Sequence, residues 1–347
     1  MLDKLKELLK PGTKAVTVTH INPDGDAIGS SLGWADFLRE QGLVVEVITP
    51  NSFPEFLSWM HGANDITIFD KQRDKAKQIL SEAELLFCMD FNSIVRLETL
   101  GEYIKTLNLK HILIDHHLNP PLAEYFLVFS ETPISSTCEL VYRMIVELTG
   151  SKKIPPHRAE ALYAGIMTDT GGFSHSCTAE LFRLVADLID CNIDRNKIQN
   201  DVYNNFTETR IQLIGYSLYE RMKVIPEYCA AYIYLTKTEL DRFNFAPGDT
   251  EGLVNMPLTI KGIRLSALFT ESSMGYVRVS LRSTGEFSVN DLAQTYFNGG
   301  GHKNAAGGKS FRTMQETIEY FEKILTSGAK SQDCRSQDFG HNLMNKE

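Results

Sequence analysis

The chain has 347 residues, 43% hydrophobic and 23% charged, with 35 Lys and Arg against 44 Asp and Glu for a formal net charge of −9. The length predicts two domains, and the composition is that of a globular protein with enough apolar residues for two cores. An acidic chain of this kind lacks the broad basic surface that grips long nucleic acid, although a few local cations can hold a small anionic substrate.

In chain order, LDKLKELLK spaces its apolar residues helically and stops at Pro11-Gly12. The first residues lack the apolar core of a signal peptide, and no apolar run approaches the roughly 20 residues of a bilayer span. A soluble, cytoplasmic protein with no membrane partner is expected. Six cysteines (Cys88, Cys138, Cys177, Cys191, Cys229 and Cys334) form no C-x-x-C pair, so reduced thiols are expected, not a disulfide scaffold or structural zinc. KAVTVTH, from Lys14, reads as a strand ending at His20, and Ala27 to Arg39 as a helix broken at Gly42. LVVEVITP is a second strand, LLFCMD (Leu85–Asp90) a third and HILID (His111–Asp115) a fourth. Short β-branched runs alternating with helices predict an α/β fold with a doubly wound parallel sheet. Ser136-Thr137-Cys138-Glu139 fits a capping box opening the helix ELVYRMIVELTG, and HRAEALYAGIMTD is a helix ending at Asp169.

These elements make residues 1–195 the expected first domain. Residues 196–223 are polar, mostly helical and strandless, and read as a connector. Residues 224–329 read as a smaller α/β domain with a mixed sheet. Its strand AAYIYLT is followed by helices around Lys237–Phe243 and Thr250–Ile260, then by a hairpin of RLSALFTES and GYVRVSLRS. VNDLAQTYF is a helix, GGGHKNAAGG a glycine loop and TMQETIEYFEKIL a closing helix. Residues 330–347 are polar and aperiodic, as in a disordered tail.

The chemistry gathers at element ends. HINPDGD places His20, Asp24 and Asp26 within seven positions. Crowded carboxylates repel and resist burial unless a cation meets them. Asp90 ends the third strand, Asp115-His116-His117 the fourth, and Asp169 the later helix. The carboxyl ends of parallel strands lie along one edge, so these residues should meet. D-x-D is common after a strand, and Asp90 or Asp169 alone fits a turn cap; the conjunction is what points to function. Five carboxylates and three imidazoles exceed the needs of one divalent ion, whereas two ions roughly 3.5–4 Å apart can share a bridging carboxylate. Oxygen-rich coordination with some imidazole suits Mn²⁺, with Mg²⁺ or Co²⁺ as substitutes, and without cysteine ligands zinc is less favoured. The small residues Ala27, Gly29, Ser30 and Ser31 start the next helix, whose N–H groups are expected to face the anion.

In the second domain, Gly307–Ser310 (GGKS) imitates a P-loop, but Lys303 stands where the Walker pattern needs glycine and a helix precedes the loop. An anion cradle still fits: glycine N–H groups of Gly299, Gly300 and Gly301 with donors from His302 and Lys303. Arg278 and Arg282 alternate with apolar residues, so both project from one strand face and are suited to gripping phosphate.

H-x-x-x-D-x-D, a strand-end Asp, D-H-H and D-T-G resemble the four motifs of the DHH phosphoesterase family, across nearly the whole chain. SLRS, from Ser280, and GGGHKNAAGG, from Gly299, are similar to the family's associated C-terminal domain. The combination most resembles the nano-RNase (oligoribonuclease)/pAp-phosphatase group, which cleaves short oligonucleotides and 3′-phosphoadenosine 5′-phosphate (pAp). The resemblance implies that His20, Asp24 and Asp90 hold one Mn²⁺, and Asp26, Asp90, His116 and Asp169 the other, with Asp90 bridging. It further implies that Asp115 orients its neighbours and His117 sits beside the scissile phosphate. The expected substrates are short single-stranded RNA or DNA and pAp, in a protein able to form a homodimer. A soluble phosphodiesterase of cyclic dinucleotides or pApA has the same domains and remains an alternative. A non-catalytic nucleotide sensor is the alternative of another class, but it would be expected to have lost a metal ligand.

Overall fold

The computed structural model describes residues 1–327; the tail expected at 330–347 lies outside them. Six short apolar runs pair in parallel in the first unit: β1 (Lys14–Thr19), β2 (Val44–Thr49), β3 (Thr67–Ile68), β4 (Leu85–Met89), β5 (Lys110–Asp115) and β6 (Leu127–Ser130). Their order is β3-β2-β1-β4-β5-β6. Alternate side chains enter separate cores, because helices cover both faces. Leu85, Phe87 and Met89 of β4 join the core under α1 (Leu2–Leu8), α2 (Gly25–Glu40), α5 (Thr137–Thr149), α6 (Pro156–Asp169), α7 (Ala179–Ile189) and α8 (Arg195–Tyr203). Leu86 and Cys88 join the core under α3 (Arg73–Glu82) and α4 (Thr99–Ile104).

Two features of this frame place the site. The strand order reverses between β1 and β4, where the loops leaving the carboxyl ends diverge and open a crevice. In addition, α2 runs against α6 at very short range. A Cβ at Gly29 would overlap the carbonyl oxygen of Ala161, and one at Gly25 would overlap the side chain of Thr168. Small residues at the crossing thus bring the start of α2 to the end of α6.

The chain divides after Asn205 into two compact units. The segment 196–223, expected as a connector, is split between them. α8 stays with the first, and α9 (Glu208–Glu220) packs Leu213 with Ile233 and Leu235 of the second. The second sheet is mixed, in the order β11-β12-β10-β9-β8-β7. It comprises β7 (Met222–Ile225), β8 (Ala230–Leu235), β9 (Leu265–Glu271), β10 (Val277–Ser283), β11 (Gly300–His302) and β12 (Ala305–Ser310). β8 and β9 are parallel; the other pairs are antiparallel. One face buries Val277, Val279 and Leu281 with side chains of α11 (Val289–Tyr296) and α12 (Met314–Ser327). The other covers Ile233, Leu235 and Leu268 with α9, α10 (Lys237–Arg242) and the 3₁₀ turn Leu253–Thr259.

Several elements differ from expectation. The helix predicted around 250–260 is that 3₁₀ turn, with Pro257 inside it. The glycine loop folds instead into the β11–β12 hairpin. β3, β6 and β7 were not foreseen. Among the described residues, no helix is long and apolar enough to cross a membrane; Cys88, Cys138, Cys177 and Cys191 are free, whereas Cys229 is disulfide-bonded, against the expectation of reduced thiols throughout.

Candidate metal centre and anion-binding face

His20 is the first residue after β1, and its Nδ1 lies 2.9 Å from the carbonyl oxygen of Ile21. A carbonyl only accepts, so Nδ1 carries the proton and Nε2 keeps a lone pair for a cation. Asp24 caps α2: its Oδ1 accepts from the N–H groups of Asp26 and Ala27, each at 3.1 Å. Asp90 follows β4 in the left-handed region at φ 63°, a conformation non-glycine residues adopt at an energetic cost and one frequent at functional sites. His116 and His117 follow β5, and Asp169 ends α6.

The structure brings all eight together. His20 Nε2 lies 3.5 Å from Asp90 Oδ2 and 4.0 Å from Asp24 Oδ2. His116 Nε2 lies 3.4 Å from Asp169 Oδ2, 3.5 Å from Asp90 Oδ1 and 3.7 Å from Asp26 Oδ2. Such separations are long for hydrogen bonds. They suit donors sharing one ion, since bonds of about 2.1 Å put tetrahedral or octahedral neighbours roughly 3.0–3.4 Å apart. Two groups of converging ligand atoms result: His20, Asp24 and Asp90, and Asp26, His116 and Asp169. Asp90 faces the first with Oδ2 and the second with Oδ1. His117 donates from Nδ1 to Asp115 Oδ1 at 2.7 Å, leaving Nε2 as the outward nitrogen.

The electrostatics favour cations here. Asp26 is 1% exposed and Asp90 2%, and their ion-pair partners among the described residues are imidazoles. Burial, and next the charge of Asp169, push the Asp26 carboxyl up to about 7. Burial and then Asp26 push Asp90 well above the usual carboxylate range. Asp115 is raised to about 6 by burial, and its Oδ2 is buried without a hydrogen-bond partner. A region whose carboxylates resist ionisation together, with donor atoms already converging, fits divalent ions. By contrast, Asp36, near His61 and His157, accepts a 2.8 Å hydrogen bond from the buried guanidinium of Arg158 and is neutralised within the fold.

Sequence reasoning missed Thr137. Its N–H donates to Asp26 Oδ2 at 2.7 Å, the N–H of Cys138 donates to Asp26 Oδ1 at 2.8 Å, and Thr137 Oγ1 donates to Asp90 Oδ1 at 2.9 Å. The start of α5 therefore orients both carboxylates. Of the N–H groups that open α2, expected to face an anion, those of Asp26 and Ala27 are instead used by Asp24. The expected capping box is half formed. Ser136 Oγ accepts from the Glu139 N–H, but Glu139 accepts from Ser135, one residue earlier than the motif requires. The signal was the run SSTC itself, which reads as an ordinary helix start.

In the second unit, Arg278 and Arg282 lie on the less buried face of β10, between the buried Val277, Val279, Leu281 and Ser283. The expected glycine cradle is largely committed to the fold. The Gly299 N–H donates to the Ala293 carbonyl and the Gly301 N–H to Asn290 Oδ1 at 2.8 Å. Gly299 is required sterically, since a Cβ there would overlap the backbone of Gly307. Gly300 pairs with Gly307 in the hairpin. Lys303 is engaged by Glu286 at 2.6 Å. His302 shares its register row with Ala305 and Arg282, so His302 and Arg282 point to one face across a small residue.

Both units resemble known proteins. Residues 14–166 match the DHH family, N-terminal domain, and residues 226–327 the DHHA1 domain. The chain is 28% identical over 294 residues to the bifunctional oligoribonuclease and PAP phosphatase NrnA of Bacillus subtilis (strain 168), covering 83% of this chain and 86% of that protein. An exopolyphosphatase-related protein of Bacteroides fragilis, known as a crystal structure, is 41% identical and superposes with a TM-score of 0.85, covering 94% of this chain and 95% of that one. RecJ from Thermus thermophilus in complex with Mn²⁺ shares the fold, with a TM-score of 0.53 at 14% identity over 95% of this chain and 55% of RecJ.

Proposed function

The chain belongs to the DHH family and carries its DHHA1 domain, and on that premise we propose that it is a Mn²⁺-dependent phosphoesterase that hydrolyses short oligonucleotides to mononucleotides and pAp to AMP. The observation that carries the reading is Asp90, whose two oxygens face two separate groups of ligand atoms. His20, Asp24 and Asp90 would hold one ion; Asp26, Asp90, His116 and Asp169 the other. Bound there, a pair of divalent ions supplies an acidified water as nucleophile and neutralises charge on the phosphoryl oxygens. The donor set, oxygen-rich with imidazole, suits manganese, and the related fold of RecJ is known with Mn²⁺.

The remaining steps belong to the chain. Asp115 fixes the ring of His117 through Nδ1; as an imidazolium beside that carboxylate, His117 would donate from Nε2 to the scissile phosphate and give that proton to the leaving oxygen. Thr137 and Cys138 hold Asp26 and Asp90 against rotation. Arg278, Arg282 and His302 supply cationic and hydrogen-bonding groups for the substrate's phosphates. Every candidate metal ligand of the first unit is present, which disfavours a sensor without catalysis. The test offers the purified protein pAp, pApA, short RNAs, cyclic dinucleotides, polyphosphate and pyrophosphate side by side with Mn²⁺. Fastest turnover of trinucleotides and pAp supports the reading. Preference for a cyclic dinucleotide, or for polyphosphate as the name of the B. fragilis relative suggests, would replace it.

A further inference from the structure

The register of the second sheet sets out rows of side chains on one face. Arg282, Ala305 and His302 share the first row, and Ser280, Gly307 and Gly300 the next. Arg278 stands opposite Lys309 in the third. The alternation continues just beyond the strand ends to Tyr276 and Phe311, whose rings lie 6.3 Å apart at 62°. Lys309 Nζ sits 4.7 Å from the centre of the Tyr276 ring. Phe311 is 73% exposed, and Met274, whose Sδ lies 4.0 Å from the Tyr276 hydroxyl, 66%. The second row presents only serine and glycine, a low floor beside Arg282 and His302, and Arg278 and Lys309 stand between it and the aromatic end. Positions of β9 that share this face, Ser266, Leu268 and Thr270, bring no acid to it.

We propose that this face is a binding track for a short single-stranded oligonucleotide, with Tyr276 and Phe311 stacking a base at the end distant from Arg282 and His302. The inference rests on the oligonucleotide reading above and extends it to residues outside the phosphate grip. Charge complementarity selects the occupant: three basic side chains line the track of a chain whose net charge is −9. Aromatic faces beside cations are the usual platform for unpaired bases. Six residues of antiparallel strand separate the Arg282 and Tyr276 rows, about 20 Å at roughly 3.4 Å per residue. At a stacked rise of about 3.4 Å per nucleotide, that length holds about six nucleotides at most. A mononucleotide bisphosphate such as pAp is too short to reach both ends.

The experiment uses the full chain with RNA pentamers carrying 2-aminopurine at each position in turn, and binding is read by fluorescence. One position should be quenched by stacking and recover in Phe311→Ala. Phe311→Ala and Tyr276→Ala should each weaken pentamer binding about tenfold or more, with pAp affinity unchanged. Lys309→Ala should weaken pentamer binding and flatten its salt dependence. Unchanged pentamer affinity in both aromatic variants overturns the proposal, as does an equal loss for pAp. Sedimentation showing a dimer that Phe311→Ala dissociates would assign the patch to self-association instead. A wild-type protein that binds the pentamer through Phe311 yet hydrolyses neither RNA nor pAp supports the track while refuting the proposed activity.

Discussion

Replacing Thr137 with valine keeps the shape of the side chain and both backbone N–H donors to Asp26, and removes one group: the hydroxyl donating to Asp90 Oδ1 at 2.9 Å. Thr137 is fully buried, so no water stands ready to substitute. A hydrogen bond to a charged acceptor contributes about 1.5–3 kcal/mol. At about 1.4 kcal/mol per decade this is roughly a 10- to 150-fold loss of metal affinity, matching the range of about 10–100-fold typical when a ligand's outer partner is lost. Calorimetric titration of Mn²⁺ into chelator-stripped protein measures it directly, without reference to turnover. Thr137→Ser, which restores the hydroxyl, should recover the affinity. Wild-type affinity and stoichiometry in Thr137→Val would refute the view that Asp90 is a shared ligand oriented by α5.

Other expectations follow from the same geometry. In metal-free protein the folded Asp26 carboxyl titrates near 7, above its unfolded value of 3.8. The folded state then binds more protons in that interval, so stability should fall as pH rises from about 4 to about 7. Excess Mn²⁺ should abolish the decline; thermal melts with chelator that gain stability over that range would contradict it. His302→Ala should keep wild-type metal content and lose kcat/KM by about 100-fold or more, on the scale of a lost charge-assisted contact; metal analysis with steady-state kinetics separates this from a role as ligand. Gly29→Ala forces a Cβ onto the Ala161 carbonyl and should destabilise the first unit by about 1–3 kcal/mol, read as a lower Tm.

The ligands were legible because each ends an element: His20 after β1, Asp90 after β4, His116 after β5, Asp169 at the end of α6. In a parallel sheet, chain direction alone sends the first three to one edge, whereas Asp169 reaches it because the end of α6 packs on the start of α2 at Gly25 and Thr168. Thr137 was not legible, because SSTCE has the composition of any helix start, and only the packing of α5 beside α2 turns its donors onto Asp26 and Asp90. The hairpin made of GGGHKNAAGG was hidden by its glycines, which weaken a strand signal yet here allow backbones to approach at Gly299 and Gly307. β3, with two residues, and β6 and β7, with four each, are too short for periodicity to reveal. The rows that join Arg278 to Lys309 and Tyr276 to Phe311 depend on a pairing register that sequence spacing does not contain.

The most direct test of the account compares initial rates of Mn²⁺-dependent hydrolysis on RNAs of about three and about 25 nucleotides at matched end concentrations, in low and moderate salt. The account predicts that the trinucleotide is cleaved faster by about tenfold or more, roughly 1.4 kcal/mol in the barrier. Beyond the track, a long strand meets a chain of net charge −9. Equal or faster attack on the long strand would contradict it, and would call for an extended nucleic-acid groove in place of a short track.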